Sequence, residues 1–244
     1  FFIIALTAFL FLTYKKKTIE VIKNSGFPAV IAGLFLSLSF VAYVVAMSKT
    51  TVANVVFIIS TQTIFLALFG FLFLKEKITL KGLIAITLAF VGMLVMVGDS
   101  INQGTLFGNI VAFAIPINFT ILVMIIRKFP DLDMVPAIFY SGIFSGIYGL
   151  VLASNLTFSL NDILMGFLLG VPQLAFGFIC VTIGTKTTKA VTVGLLMLLE
   201  TIFAPIWVWI FLNEVPPVSV FMGGAIIISA VILKSFDKSL KISD

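Results

Sequence analysis

Nine stretches of mostly uncharged, apolar residues follow one another along this chain of 244 residues, at 1–14, 27–47, 52–74, 80–98, 105–126, 134–153, 163–184, 190–212 and 217–233. Most are close to the length needed to cross about 30 Å of hydrocarbon as a helix rising about 1.5 Å per residue. A helix is the element that satisfies its own backbone hydrogen bonds within one spanning segment. Turn-forming residues separate the runs: Asn24-Ser25-Gly26 before Pro28, Asp99-Ser100 with Gly104, 131–133, Asn161-Asp162, and Pro216-Pro217. None of these connections is long or polar enough for a separate soluble domain. With 61% hydrophobic and only 10% charged residues, the chain reads as all-α, a polytopic helical membrane protein.

Placing successive connections on alternate sides sorts the charges. Lys15, Lys16, Lys17, Lys23, Lys75, Lys77, Lys81, Arg127, Lys128, Lys186, Lys189, Lys234, Lys238 and Lys241 fall on one side, and Lys49 alone on the other. The positive-inside rule makes the basic side cytoplasmic, and dropping or merging one span would scramble the division. The expectation is a multi-pass protein of the plasma membrane, a bacterial inner membrane in type, with a cytoplasmic C-terminus. The basic residues are then explained by topology, and nothing in them calls for nucleic acid. Lys15–Lys17 could also touch anionic lipid.

The opening run is short and starts with Phe1. It reads as part of a transmembrane helix, since a signal peptide would have a basic start and a small-residue cleavage site. Residue 1 falls on the outer side, so a full protein that starts inside is expected to have one more helix upstream, ten in all. The single cysteine, Cys180, excludes an intrachain disulfide. Histidine is absent, which removes imidazole from metal binding and proton relay. No cofactor or metal site is expected.

The chain also repeats itself. Ser48-Lys49-Thr50-Thr51-Val52-Ala53 resembles Thr185-Lys186-Thr187-Thr188-Lys189-Ala190. Thr63-Ile64-Phe65 returns as Thr201-Ile202-Phe203, and Phe73-Leu74-Lys75-Glu76 as Phe211-Leu212-Asn213-Glu214. The implied organisation is a first repeat at 1–98 lacking its leading helix, a second at 105–234, and a cytoplasmic tail at 235–244. Five helices per repeat turn the second copy upside down, a common plan of secondary transporters.

Glu200 stands near the middle of the run at 190–212, and it is the one acidic residue of ten inside a span. A charge at that depth costs about 2.5–3.5 kcal/mol on insertion scales. No Lys or Arg lies at comparable depth, so a cationic or zwitterionic substrate, a proton, or neutral donors must satisfy it. Proton-coupled exchange fits, with substrate and proton competing for one carboxylate. A packing role, hydrogen-bonded to a neighbouring helix, is the alternative.

The internal repeat sets Gln62 opposite Glu200. Asn54, Ile58 and Gln62 share a helical face at i, i+4, i+8. Trp207, seven residues past Glu200, lies on the same face and could hold an ammonium against its ring, or belong to an interfacial belt, whereas Trp209 is expected in the belt or facing lipid. Pro116, Pro172 and Pro205 each remove a backbone donor within a span and are candidate hinges. Asn118 and Gln173 flank two of them and, with Tyr43, complete the substrate-binding candidates. Gly33-Ser37, Gly142-Gly146 and Gly166-Gly170 have the small-xxx-small spacing of close helix contacts. They set no oligomeric state, and a monomer is compatible with them.

Two related blocks carry a family resemblance. The first runs from Ala46-Met47-Ser48-Lys49-Thr50-Thr51-Val52-Ala53 to Lys75-Glu76-Lys77-Ile78-Thr79, followed by Gly82 and Gly92. The second contains Leu198-Leu199-Glu200, Ala204-Pro205-Ile206-Trp207 and Asn213-Glu214, followed by Gly223-Gly224. Together the blocks resemble the EamA-type members of the drug/metabolite transporter superfamily, and the likeness covers essentially the whole chain. The resemblance implies ten helices, both termini cytoplasmic, and a central cavity. That cavity would be lined by the upstream helix and by the runs starting at Phe27, Val52, Thr105, Ile163 and Ala190.

The function expected is secondary active transport, export or exchange, of a small polar metabolite, amino acid or organic cation by alternating access, with proton coupling through Glu200. No G-x-x-x-x-G-K-[ST] sequence is present to couple ATP directly. No H-E-x-x-H and no Asp at depth supports a membrane protease, so an enzyme is not expected. A non-transporting sensor or channel on a transporter scaffold is the alternative.

Overall fold

The structure is a computed structural model that describes residues 1–97, 105–152, 157, 159–213, 215 and 217–236, without the side chains of 53, 97, 204, 205, 208, 212 and 235. The tail at 235–244 and the turn at 98–104 therefore lie largely or wholly outside the described residues. Every regular element described is helical: α1 Phe2–Tyr14, α2 Thr18–Lys49, α3 Val52–Ser60, α4 Gln62–Leu74, α5 Leu80–Val97, α6 Leu106–Lys128, α7 Val135–Leu152, α8 Leu160–Leu168, α9 Gly177–Thr185, α10 Ala190–Met197, α11 Leu199–Leu212 and α12 Val218–Ser235. A three-residue 3₁₀ turn, Lys15–Lys17, joins α1 to α2, and a π-helix, Leu169–Phe176, joins α8 to α9.

Among the described residues the apolar runs are occupied by helix, and the turn at 131–133 falls between α6 and α7. Asn24-Ser25-Gly26 instead lies inside α2, where only Gly26 leaves helical geometry, and Asn161-Asp162 lies in the first turn of α8, which Ser159 caps. The turns expected at 99–104 and 216–217 lie largely outside the described residues. Five stretches are long and apolar enough to cross a membrane: Phe2–Lys49, Asn54–Leu74, Leu106–Lys128, Val135–Leu152 and Leu160–Thr185. The first of these holds two of the apolar runs. Shorter apolar helices are Leu80–Met96, Ala190–Phe203 and Val218–Lys234. Large apolar side chains such as Leu150, Val151, Leu160 and Leu168 are exposed, as a lipid-facing surface requires. This is an all-helical, polytopic membrane fold.

Three runs are not single α-helices. The run at 52–74 breaks at Thr61, the run at 190–212 breaks at Leu198, and the run at 163–184 widens into the π-helix around Pro172. Only the third change coincides with a proline. α6 continues through Pro116 and α11 through position 205. A proline inside a helix removes one donor, and the wider π turn is one way to accommodate it.

The chain divides into two units, Phe1–Val41 with Ile121–Lys186, and Ala42–Thr120 with Thr187–Asp244. In the first unit, Leu6 and Leu10 of α1 are buried along with Leu122 and Ile126 of α6 and Met134 and Ile138 of α7. Gly33 lets α2 approach α7 closely: a Cβ there would lie 2.5 Å from the Ala137 carbonyl oxygen. Gly142 faces Ile3, and Gly170 faces the backbone of Phe2, whereas Gly146 has open space around it. Phe2, Phe40 and Phe178 form an edge-to-face chain with centroids 5.7 and 5.3 Å apart. Gly26 sits at φ 61° and turns the chain just before Pro28, a conformation that favours glycine.

In the second unit, α5 and α12 cross through Gly92 and Gly223, each of which faces the other's carbonyl oxygen. Around this crossing Ala85, Ala89, Met93, Leu195, Ile227 and Ala230 form one buried cluster. A second cluster joins Ala42 and Ala46 of α2 to Val55 and Ile58 of α3 and Ala112 and Ile115 of α6.

Within each unit, residues that the charge pattern assigns to one side meet one another. The Tyr14 hydroxyl donates to the Asp133 carboxylate in the first unit. In the second, Lys81 Nζ lies 3.4 Å from the Phe236 carbonyl, and at the other end the Thr105 hydroxyl donates to the Lys49 carbonyl at 2.5 Å.

Candidate functional site

The two interrupted helices of the second unit place the main candidates. At Thr61 the backbone tightens to φ −64°, ψ −12°, and its N–H is shared between the Ile58 and Ile59 carbonyls. At Leu198 the angles are φ −67°, ψ −16°, and its N–H is shared between the Leu195 and Leu196 carbonyls. Such ψ values belong to a 3₁₀-like turn more than to an α-helix. Hydroxyls support both turns: Thr61 Oγ1 donates to the Ile58 carbonyl at 2.6 Å, and Thr201 Oγ1 to the Leu198 carbonyl at 2.7 Å.

Gln62 is the first residue of α4, and Glu200 the second of α11. Gln62 directly follows its break and Glu200 stands two residues past its own, so a small change in either turn re-aims the side chain. Gln62 is buried at 5% exposure. Glu200 is exposed on the protein surface, and its carboxylate has no hydrogen-bond or ion-pair partner among the described residues. It is not occupied in packing helices together.

A pocket with room for about one water molecule lies beside the breaks, lined by Ser60, Thr63 and Leu198 together with Ile86, Ala89 and Phe90. The Thr63 hydroxyl is buried there without a partner. Ser60 and Thr63, which neighbour Gln62 in the sequence, are among its lining residues, whereas the substrate-binding candidates Glu200, Gln62, Trp207, Asn118, Gln173 and Tyr43 are not.

The remaining candidates are distributed. Trp207 is 55% exposed and stacks on Phe211, with centroids 5.8 Å apart and planes 26° apart. Trp209 meets Phe221 edge-on at 6.0 Å. Tyr43 on α2 is 43% exposed, and Asn118 on α6 is half-buried. Pro116 is buried, and its carbonyl accepts from Thr120 Oγ1 at 2.7 Å. Gln173 and Pro172 are exposed on the π-helix of the first unit. No hydrogen bond joins any two of Tyr43, Gln62, Asn118, Glu200 and Trp207 among the described residues.

Two polar constellations carry more structure than their sequence signal. Thr50 of the α2–α3 connection, Asn54 of α3 and Asn109 of α6 converge: Thr50 Oγ1 donates to Asn109 Oδ1 at 2.7 Å, and Asn54 Nδ2 reaches Thr50 Oγ1 at 3.1 Å and Asn109 Oδ1 at 3.2 Å. Asn54 is buried, and its Oδ1 has no partner. Glu76 is the other. It follows the left-handed cap of α4 at Lys75, and its Oε2 accepts from the Ala190 N–H at 3.1 Å, at the start of α10. Its sequence signal was the returning Lys-Glu and Asn-Glu pair after each helix; its partner lies 114 positions away. No group of three or more Cys, Asp or Glu among the described residues is placed to hold a metal ion.

Comparison with known proteins agrees with this architecture. The chain is 28% identical over 209 residues to a protein of Methanothermobacter thermautotrophicus described as an uncharacterized transporter, covering 78% of this chain and 59% of that one. It is 26% identical over 222 residues to an uncharacterized transporter of Clostridium kluyveri, covering 85% and 71% respectively. The chain thus spans about three fifths of the first relative's length. A solved crystal structure superposes with a TM-score of 0.69 over 95% of this chain and 96% of its own, at 12% identity, which establishes likeness of fold alone. The family model described as the EamA-like transporter family matches residues 1–98 and again 104–236. On that match over nearly its whole length, the chain belongs to the EamA-like transporter family, a family of membrane transporters within the drug/metabolite transporter superfamily.

Proposed function

We propose that the protein is a secondary active transporter that exports or exchanges a small polar metabolite, amino acid or organic cation by alternating access. The observation that carries this reading is Glu200: an acid near the middle of the apolar run 190–212, two residues beyond the Leu198 break, exposed and without a described partner. An acid kept there at a cost of about 2.5–3.5 kcal/mol is a functional group by default. In this reading Glu200 takes either a proton or the cationic group of the cargo. Gln62, Asn118, Gln173, Tyr43 and Trp207 supply neutral contacts, and Pro116, Pro172 and Pro205 serve as hinges.

The two family-model matches, the paired breaks and the paired left-handed caps support an organisation of two repeats, 1–98 and 105–234. The basic end faces the cytoplasm of a plasma membrane, and the C-terminal tail lies on that side.

Counterflow by the full-length protein in proteoliposomes tests the proposal. Metabolites that raise its thermal midpoint identify cargo, because a ligand of the native state stabilises it. Trans-loaded cargo should then accelerate uptake of the labelled compound. A passive ion current without counterflow would assign a channel, and binding with neither flux would assign a sensor.

A further inference from the structure

We propose that Glu76 is a positioning residue that latches α4 to α10 at the basic end of the second unit, so that this pair forms the gate on that side. The inference rests on the alternating-access reading above. α4 is the half of its span that runs from the Thr61 break to the basic end, and α10 is the corresponding half of the other interrupted span.

The two half-helices are closed against each other over this whole length. Near the breaks, a Cβ on Gly194 of α10 would lie 2.9 Å from the Thr63 Cα of α4. Toward the basic end, a Cβ on Gly70 of α4 would lie 3.1 Å from the Ala190 Cβ of α10 and 3.3 Å from Glu76 Oε2. One glycine on each helix therefore removes the side chain that would hold the backbones apart. The other two halves make different contacts: α3 packs on α5, and α11 on α10 and α12.

Glu76 closes the arrangement. The left-handed Lys75 turns the chain back, and the Glu76 N–H bonds the Gly70 carbonyl at 3.0 Å. The carboxylate then meets the first turn of α10, where backbone N–H groups have no partner within the helix and the dipole favours negative charge. Lys189, the residue just before α10, makes no side-chain cap of its own. A residue from α4's end thus supplies the cap that α10 lacks, and α10 keeps it only while the two helices stay together. That makes the hydrogen bond a reporter and a stabiliser of the closed pair rather than of either helix alone.

The test reads exposure of the α4–α10 seam from each side of the membrane. The full-length protein carries Cys180→Ser and one new thiol at Thr63→Cys, and is labelled with a membrane-impermeant maleimide in vesicles of known orientation. Glu76→Ala should raise the labelling rate from the basic side by roughly two- to thirty-fold, the range expected for losing one helix cap, and lower it from the opposite side. Glu76→Gln keeps an acceptor and the side chain's volume, and should give a smaller rise with the same sidedness. It decides the matter if the alanine variant does not fold. An unchanged rate, or an equal rise from both sides, overturns the latch. Because the readout is accessibility and not flux, this result stands apart from the success or failure of the transport proposal.

Discussion

Lys75 and Asn213, 138 positions apart, end their helices in the same left-handed conformation, at φ 54°, ψ 29° and φ 55°, ψ 22°. Neither is glycine, so each accepts a backbone that costs an L-residue about 1–2 kcal/mol, less for asparagine, which visits it readily. Both caps stop a half-helix that begins just after a break, and each is followed by a glutamate in the sequence. The same sequence of break, half-helix and left-handed cap thus occurs twice.

The caps give a direct expectation. Lys75→Gly should raise the thermal midpoint in detergent, by up to about 1 kcal/mol in stability, because glycine adopts positive φ without strain. Asn213→Val should lower stability by about 1–2 kcal/mol, since a β-branched residue tolerates that region poorly. Equal midpoints for Asn213→Val and Asn213→Gly would contradict the assigned cap.

Adjacent glycines on α12 separate two environments. A Cβ on Gly223 would lie 2.3 Å from the Gly92 carbonyl oxygen and 2.4 Å from Met96, whereas one on Gly224 would meet Ile202 at an ordinary 3.5 Å. Gly223→Ala should therefore destabilise the α5–α12 crossing by about 1–3 kcal/mol through overpacking. Gly224→Ala should be near neutral or slightly stabilising, as alanine favours helix over glycine. Thermal unfolding of the two variants side by side checks the crossing, and the reverse order would refute it.

The Thr50, Asn54 and Asn109 cluster predicts non-additive losses. Asn109→Leu leaves the buried Asn54 amide and the half-buried Thr50 hydroxyl without their shared acceptor, and should cost about 1–3 kcal/mol. Adding Asn54→Leu should cost less than the sum of the two single changes, with a coupling of about 0.5–3 kcal/mol. Additive costs would show that these side chains do not interact.

Much of the fold was legible in the sequence because lipid imposes a coarse rule: runs of about 20 apolar residues separated by charge and turn residues. Glu200 stood out for the same reason, as a charge where none is cheap. The breaks were not legible. Thr61 and Leu198 carry no helix-breaking side chain, whereas of the three prolines that do, only Pro172 coincides with a change of helix, and α6 and α11 continue through positions 116 and 205. Asn54 and Gln62 could be placed on one face, but the partner of Asn54 is Asn109, 55 positions on. Gly223 and Gly224 are identical in sequence terms and differ only in what α5 brings against them. Contacts set by distant partners follow no local spacing, which is also why the sequence places Glu76 only in a loop, while its bond to Ala190 spans 114 positions.

The central claim is that Glu200 is where cargo and proton compete, and Glu200→Gln in the full-length protein tests it most directly. The measurement is cargo counterflow and pH-gradient-driven uptake in proteoliposomes, for parent and variant inserted to the same extent. The account predicts that the variant keeps its fold and loses response to the pH gradient, or loses transport of cationic cargo altogether. Uptake with the parent's rate and pH dependence would contradict it.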